Sequence, residues 1–284
     1  MKYKLSIVTV TYNVNITELE KCINSIISYN DLDEPIKIII VDNSPKENQI
    51  PDLFKKKYPD IEFINNKNTG FGAANNIGAK ATNSDYILFF NNDTELIEPI
   101  FKKIINTFNL NKEIGCIGIN QKGGQPSFFQ RNESTLSYIK AKYQIYKGEY
   151  NSNDFFISGA FMFFKRKAFE ECGEFDPNIF LYNEEADISN RLLKCGYIIQ
   201  YIKEISFLHK AGNRSSLDPF TYKESAQSLL YYIHKYNLQE KKVQILHKFI
   251  RLWTLKKIVF ILKFDFKSAQ RINKGINIYK KTLI

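Results

Sequence analysis

The apolar run "YILFFNNDTEL" (86–96) stops on Asn91, Asn92 and Asp93, and a strand-forming segment that ends in such a group is a place where chemistry can begin. Mg²⁺ and Mn²⁺ prefer hard oxygen donors, and a site that offers one or two protein carboxylates keeps positions open for phosphate oxygens. Asp93 can supply the carboxylate, with Asn91 two residues away on the same side of an extended chain. His209 closes a second apolar run, "YIIQYIKEISFLH", and offers a nitrogen acceptable to Mn²⁺. Plainer duties fit the same residues: Asp93 as a turn or N-cap residue, His209 as a satisfied polar side chain. A third group, "NEEAD" (183–187), opens a helical pattern with three carboxylates. Helical spacing puts Glu184 and Asp187 on one face, sets Arg191 within i+4 reach of Asp187, and turns Glu185 elsewhere. Acidic residues at a helix start are also what the macrodipole alone favours.

"NTGFGAANN" (68–76) begins like a dinucleotide fingerprint, but its third glycine position is Asn75 and it follows the third strand pattern instead of the first. A Rossmann dehydrogenase is therefore disfavoured. What remains is a glycine turn at Gly70 into a helix whose Ala73, Ala74, Gly78 and Ala79 permit close approach of backbone or ligand.

The elements that must position these groups alternate. "LSIVTVTY", "IKIIIVD", "IEFINN" and "DYILFFNND" are strand patterns, and helical stretches follow the first, follow Pro51 and cover 71–81. Thr17 with Glu20 reads as a capping box. Near-continuous apolar runs suit strands covered on both faces by crossover helices. Each run turns polar at its C-terminal end, where ligands sit in open α/β sheets. Residues 120–153 lack a sustained period and read as a flexible excursion that contacts substrate. Strand and helix patterns resume through "FFISGAFMFFKRKAFEECGEF" and "NEEADISNRLLKCGY", the latter ended by Gly196. Helical patterns fill the chain from 218 onward.

Charge divides the chain in the same way. Of 40 Lys+Arg and 30 Asp+Glu, residues 240–284 hold 12 and 2, so the body is neutral and the whole excess of +10 belongs to the tail. A neutral body argues against a nucleic-acid-binding surface. At 44% hydrophobic and 25% charged the composition is that of a globular protein, and no run reaches the ~18 apolar residues of a membrane span. Cys22, Cys116, Cys172 and Cys195 form no CxxC pair and read as reduced thiols. The start of the chain shows no secretory pattern, which points to the cytoplasm.

Six motifs in order, "SIVTVTYN", "IIIVDNSP", "NTGFGAANNIGA", "YILFFNNDTEL", "SGAFMFFKRKAFEECGEFDPNIFLYNEEADISNRLLKCGY" and "FLHKAGNRSS", give a sequence that resembles family 2 of the inverting glycosyltransferases, in its bacterial rhamnosyltransferase-like branch. The resemblance implies an α/β GT-A fold over 1–217, with a mostly parallel central sheet, followed by a basic helical extension over 218–284. It implies a nucleotide-diphosphate sugar donor, an acceptor that is a glycan or is carried on polyprenyl diphosphate, and a divalent metal, Mg or Mn. Carried over to matching positions, Thr11, Tyr12 and Asp42 become the nucleoside pocket, joined by Asn13, Asn68, Gly70, Asn75 and Asn92. Asn91 and Asp93 occupy the metal motif, with an amide where a carboxylate is common, and His209 completes the metal shell. The general base falls on Glu185 ahead of Asp187; Arg191 assists the diphosphate or holds Asp187; Gly159, Ala160 and Glu184 face the acceptor. One displacement at the anomeric carbon, with inversion, is the reaction implied. The runner-up is a nucleotidyltransferase on a similar sheet. For the tail, "KKVQILHKFIRLWTLKKIVFILKFDFK", with Phe249, Trp253, Phe260 and Phe264 among its cations, fits an interfacial helix on anionic lipid at the inner face of the membrane. A basic helical subdomain or a homodimer element is the alternative.

Overall fold

Long Ile/Val runs make strands with two faces to cover. In β1 (Tyr3–Thr11), Leu5 and Ile7 join one core cluster while Val8 and Val10 join another, since successive side chains point to opposite faces. The computed structural model describes residues 3–132, 134–210 and 218–283. The further strands are β2 (Ile36–Asp42), β3 (Glu62–Asn65), β4 (Ser84–Phe90), β5 (Thr94–Leu96), β6 (Ile114–Lys122), β7 (Phe128–Gln130), β8 (Phe155–Ile157), β9 (Phe161–Lys165) and β10 (Ile198–His209). Eight of them form one sheet in the order β3-β2-β1-β4-β9-β6-β10-β5, and β7 pairs with β8. β3, β2, β1 and β4 run parallel in sequence, as do β6 and β10, whereas β9 is antiparallel to both β4 and β6, and β5 to β10. The C-terminal ends of six strands thus share an edge with the starts of β9 and β5.

One face is covered by α1 (Ile16–Ser28), α2 (Asp52–Lys57) and α4 (Phe101–Leu110), the other by α3 (Phe71–Lys80), α5 (Tyr138–Lys147), α6 (Arg166–Glu171) and α7 (Glu184–Lys194). α1 is capped by Asn15, whose side chain accepts from Thr17 N–H at 3.0 Å, so the expected Thr17–Glu20 box is replaced. Glu20 instead meets Lys57 and Tyr58. α3 lies close on the sheet: a β-carbon at Gly78 would sit 3.1 Å from Val41 Cγ2 and nearer still to Val8.

The stretch read as a flexible excursion is built structure. β7 and α5 occupy it, β8 follows it, and Arg131, only 2% exposed, fastens it. Its Nε donates to Ser152 O (2.7 Å) and Phe155 O (3.1 Å), and Nη1 donates to Asn190 on α7. Buried guanidinium bonds supplied what the sequence period lacked.

The chain divides into two compact units, Met1–Pro177 with Glu184–Ala211, and Asn178–Asn183 with Gly212–Ile284. Residue 217, where the sequence reading drew its boundary, lies outside the described residues. The second unit holds α8 (Pro219–Lys235), α9 (Lys242–Leu262) and α10 (Phe266–Lys281). Leu229, Ile233, Leu246 and Tyr279 form its core, and Trp253 packs edge-on against Tyr279 and Tyr222 at 4.5 and 4.6 Å. Gly275 lets α10 press on the Tyr222 ring, with a β-carbon there only 2.5 Å from ring carbons. Among the described residues no helix is long and apolar enough to cross a membrane. All four cysteines are free thiols.

Candidate active site

At the strand ends of β1, β2 and β3 lies a cleft of about 460 Å³, lined by Tyr12, Asn43, Lys46, Gln49, Asn66, Lys67 and Asn68 among others. Tyr12 is 56% exposed and offers a ring face; Asn13 holds a left-handed backbone (φ 48°) and donates its N–H to Ser44 Oγ at 2.8 Å. Asparagine amides knit the rim: Asn66 donates to Asn43 Oδ1 (2.8 Å), and Asn68 Oδ1 accepts from Gly70 N–H (3.3 Å). Gly70 adopts φ 99°, a region open to glycine, as the chain enters α3.

Three of the expected nucleoside ligands are enclosed and hydrogen-bonded within the protein. Thr11 and Asp42 are each 1% exposed; Asp42 accepts from the Thr11 hydroxyl (3.1 Å), Ser44 N–H (3.0 Å) and Ile50 N–H (2.8 Å). A carboxylate has about four acceptor sites, so Asp42 is engaged in fixing the loop that carries the lining residues. Asn75, 1% exposed, donates to Phe71 O within its own helix at 3.1 Å.

The turn between β4 and β5 contains Asn92 and Asp93. The chain here is turned and not extended as expected: Thr94 N–H returns to Asn91 O at 3.3 Å, and Asn91 N–H donates to Ala160 O at 3.2 Å. β10 pairs antiparallel with β5, setting His209 opposite Thr94. Asp93 Oδ1 and His209 Nε2 consequently stand 3.2 Å apart, both largely enclosed. His209 Nδ1 is buried with no hydrogen-bond partner among the described residues. Asn91 contributes backbone contacts to this turn; its side chain makes no hydrogen bond to the pair. Residues 211–216, the rest of the "FLHKAGNRSS" motif, lie outside the described residues.

α7 opens the acidic cluster, and burial sorts it. Asp187 is fully enclosed and accepts from Arg191 Nε (2.9 Å) and Nη2 (2.7 Å), while Arg191 Nη1 reaches Cys172 O. Of the two duties expected of Arg191, holding Asp187 is the one seen, and the pair ties α7 to the end of α6. Glu184, 3% exposed, packs beside Gly72. Burial, with the charges of Glu185 and Asp187, pushes its carboxyl well above the ordinary range, and its Oε2 has no hydrogen-bond partner among the described residues. Glu185 is half-buried and also raised by burial, opposed by hydrogen bonds from its own N–H and that of Gly159. Gly159 makes the room: a β-carbon there would lie 2.8 Å from Glu185 Cγ and 3.0 Å from Cδ. Gly159 and Ala160 thus position other groups, Gly159 through Glu185 and Ala160 through Asn91.

Sequence reasoning missed Lys46 and Lys67, which follow strand ends closely enough to have been read as phosphate-side cations. It missed Gln121 as well. This residue is the last but one of β6, with 7% exposure, and neither atom of its amide has a hydrogen-bond partner among the described residues. Its neighbour across the sheet is Phe207 on β10. A neutral amide with open donor and acceptor at this edge can recognise a hydroxyl.

Comparison with known proteins agrees with this geometry. The model of Glycosyl transferase family 2 matches residues 6–173, more than half of the chain. The N-acetylglucosaminyl-diphospho-decaprenol L-rhamnosyltransferase of Mycobacterium tuberculosis is 22% identical over 252 residues, covering 77% of this chain and 80% of that one. The dTDP-rhamnosyl transferase RfbF of Shigella flexneri is 23% identical over 232 residues, covering 76% and 72%. Mannosyltransferase PcManGT from Pyrobaculum calidifontis, solved with GDP-Man and Mn²⁺, matches with a TM-score of 0.58 at 14% identity, over 96% of this chain and 74% of that one. At that identity the likeness is one of fold, and the fold is the GT-A architecture expected from the sequence.

Proposed function

The chain belongs to glycosyl transferase family 2, and from that premise we propose that it moves rhamnose or a related hexose from a nucleotide-diphosphate donor to a hydroxyl of a polyprenyl-diphosphate-linked or glycan acceptor, in the synthesis of a bacterial surface polysaccharide. One observation carries the reading of the site. The adjacent residues Gly159 and Ala160 link its two halves: Gly159 N–H meets the Glu185 carboxylate, and Ala160 O holds the turn that bears Asp93. The names of the rhamnosyltransferase relatives support the sugar and acceptor classes.

In the proposed reaction the donor's nucleoside lies in the cleft against Tyr12, with Lys46 and Lys67 on its phosphate side. Glu185 takes the proton of the acceptor hydroxyl as that oxygen bonds to the anomeric carbon from the face opposite the leaving group. The bond from that carbon to the diphosphate oxygen breaks, its electron pair leaves with the nucleoside diphosphate, and the configuration inverts. A carboxyl raised by burial suits this work, since a base is most effective with a pKa near the working pH. Gln121 would hydrogen-bond a sugar hydroxyl. Asp93 and His209 would hold a divalent cation, Mg or Mn: one carboxylate and one imidazole are compatible donors and leave most of the coordination sphere to phosphate. Such an ion supplies Lewis-acid stabilisation of the departing diphosphate.

Calorimetric titration with a panel of dTDP-, UDP- and GDP-linked sugars in the presence of Mn²⁺ tests the donor site; binding of none overturns it. Glu185→Gln should bind the selected donor normally and lose transfer by roughly 10²- to 10⁴-fold. Transfer at the wild-type rate would remove Glu185 as base.

A further inference from the structure

Trp253 and Phe249, read from sequence as lipid-facing, pack into the helical unit's own core. The distal half of α9 does the opposite. Leu255, Ile258, Val259 and Leu262, spaced i, i+3, i+4 and i+7, form one helical stripe and are 59%, 47%, 47% and 73% exposed. The turn beyond them projects Phe264, 82% exposed with φ 58°, and Phe266, 57% exposed. A continuous apolar patch of this kind marks an interaction site more often than a bare surface.

Its surroundings select the partner. Lys256, Lys263 and Lys267 are exposed within the same segment, and residues 240–284 carry 12 Lys+Arg against 2 Asp+Glu. One of those two carboxylates, Asp265, caps α10 by accepting from Ser268 N–H at 3.0 Å. A two-fold contact between copies would set the same cationic patch against itself, and like charges across an interface oppose association. An anionic bilayer satisfies both features: acyl chains for the stripe and phenyl rings, headgroup charge for the lysines. We propose that the distal part of α9 and the α9–α10 turn form a docking surface for anionic phospholipid. This surface would hold the enzyme on the membrane where a polyprenyl-linked acceptor resides.

The test is flotation of the full-length protein with vesicles of phosphatidylcholine alone or mixed with phosphatidylglycerol, which needs neither donor nor acceptor and so stands or falls apart from the transfer reaction. Wild type should float with anionic vesicles, weakly with neutral ones, and less as salt rises. Leu262→Ser with Phe264→Asn, both at exposed positions, should lower partitioning at least tenfold while far-UV circular dichroism and Tm stay at wild-type values. Lys256→Gln with Lys263→Gln should lower it about fivefold per lysine. Equal flotation of wild type and both variants overturns the proposal. So does failure of wild type to float, including the case where sedimentation shows a dimer that Leu262→Ser with Phe264→Asn dissociates.

Discussion

Gly159→Ala separates the placement of Glu185 from its chemistry, because the carboxylate stays in the molecule. The added β-carbon would lie 2.8 Å from Glu185 Cγ and 3.0 Å from Cδ. Comfortable carbon–carbon contact is about 3.5–4.0 Å, so the side chain must retreat by about 1 Å. A misplacement of that size in a reacting group costs on the order of 100-fold, or about 2.7 kcal/mol of barrier at 1.36 kcal/mol per tenfold. The assay is release of nucleoside diphosphate under saturating acceptor, using the donor chosen by titration, with donor Kd measured beside it. The expected result is kcat down about 100-fold, donor Kd unchanged and Tm lowered modestly. Glu185→Asp, one methylene shorter, should then cost much less in the Gly159→Ala background than alone, because it withdraws from the new methyl. A Gly159→Ala enzyme within threefold of wild-type kcat would refute the reasoning, and so would strict additivity of the pair.

Other expectations are direct. Asp93→Asn and His209→Ala should each weaken Mn²⁺-dependent donor binding by at least tenfold in titration, while nucleoside binding measured without metal is unchanged. Glu184→Gln should raise Tm at alkaline pH. A carboxyl with a raised folded pKa has its stability contribution fully present below the unfolded value and lost as pH rises through the folded one, so the advantage of the amide should grow through that window and vanish in acid. Arg131→Met strips the bonds to Ser152, Phe155 and Asn190 and leaves their acceptors buried, so chemical denaturation should register a loss of about 3 kcal/mol or more. Gln121→Leu should raise the KM of the sugar donor about tenfold or more, with the Kd of the nucleoside diphosphate alone unchanged.

The strands were legible in the sequence because burial on both faces demands unbroken β-branched runs, and their polar ends marked the edge where the site lies. His209 was placed beside Asp93 through the resemblance, and pairing of β10 with β5 supplies the geometric reason. What was not legible depends on tertiary partners. Thr11, Asp42 and Asn75 are polar residues at a ligand-bearing edge, yet each is satisfied by a protein group and enclosed. The i+4 pairing of Asp187 with Arg191 was legible from helical spacing, whereas the close packing of Gly159 on Glu185 depends on a distant segment and was not. The 120–153 stretch lacked a period because scattered residues secure it, buried Arg131 together with Phe128, Ala141 and Tyr150, and no regular apolar face runs along it. α9 is apolar on more than one side, so its pattern could not tell that Trp253 turns inward while Leu262 stays bare.

β9 enters the sheet between β4 and β6, strands formed from earlier sequence, and runs against both. β1, β2 and β3 pair across 23 to 31 residues, whereas β9 pairs with β4 across 71 to 79 and with β6 across 46 to 48, and non-local closure is the slow part of folding. Gly159 and Ala160 precede that strand directly. The nucleoside cleft, built on β1 to β3, belongs to the early part of the molecule, while the bond that orients Glu185 and the one that tethers the Asp93 turn belong to the late part. During refolding, nucleotide affinity should therefore return before sugar transfer does, and a chain caught between the two would hold a donor without being able to spend it.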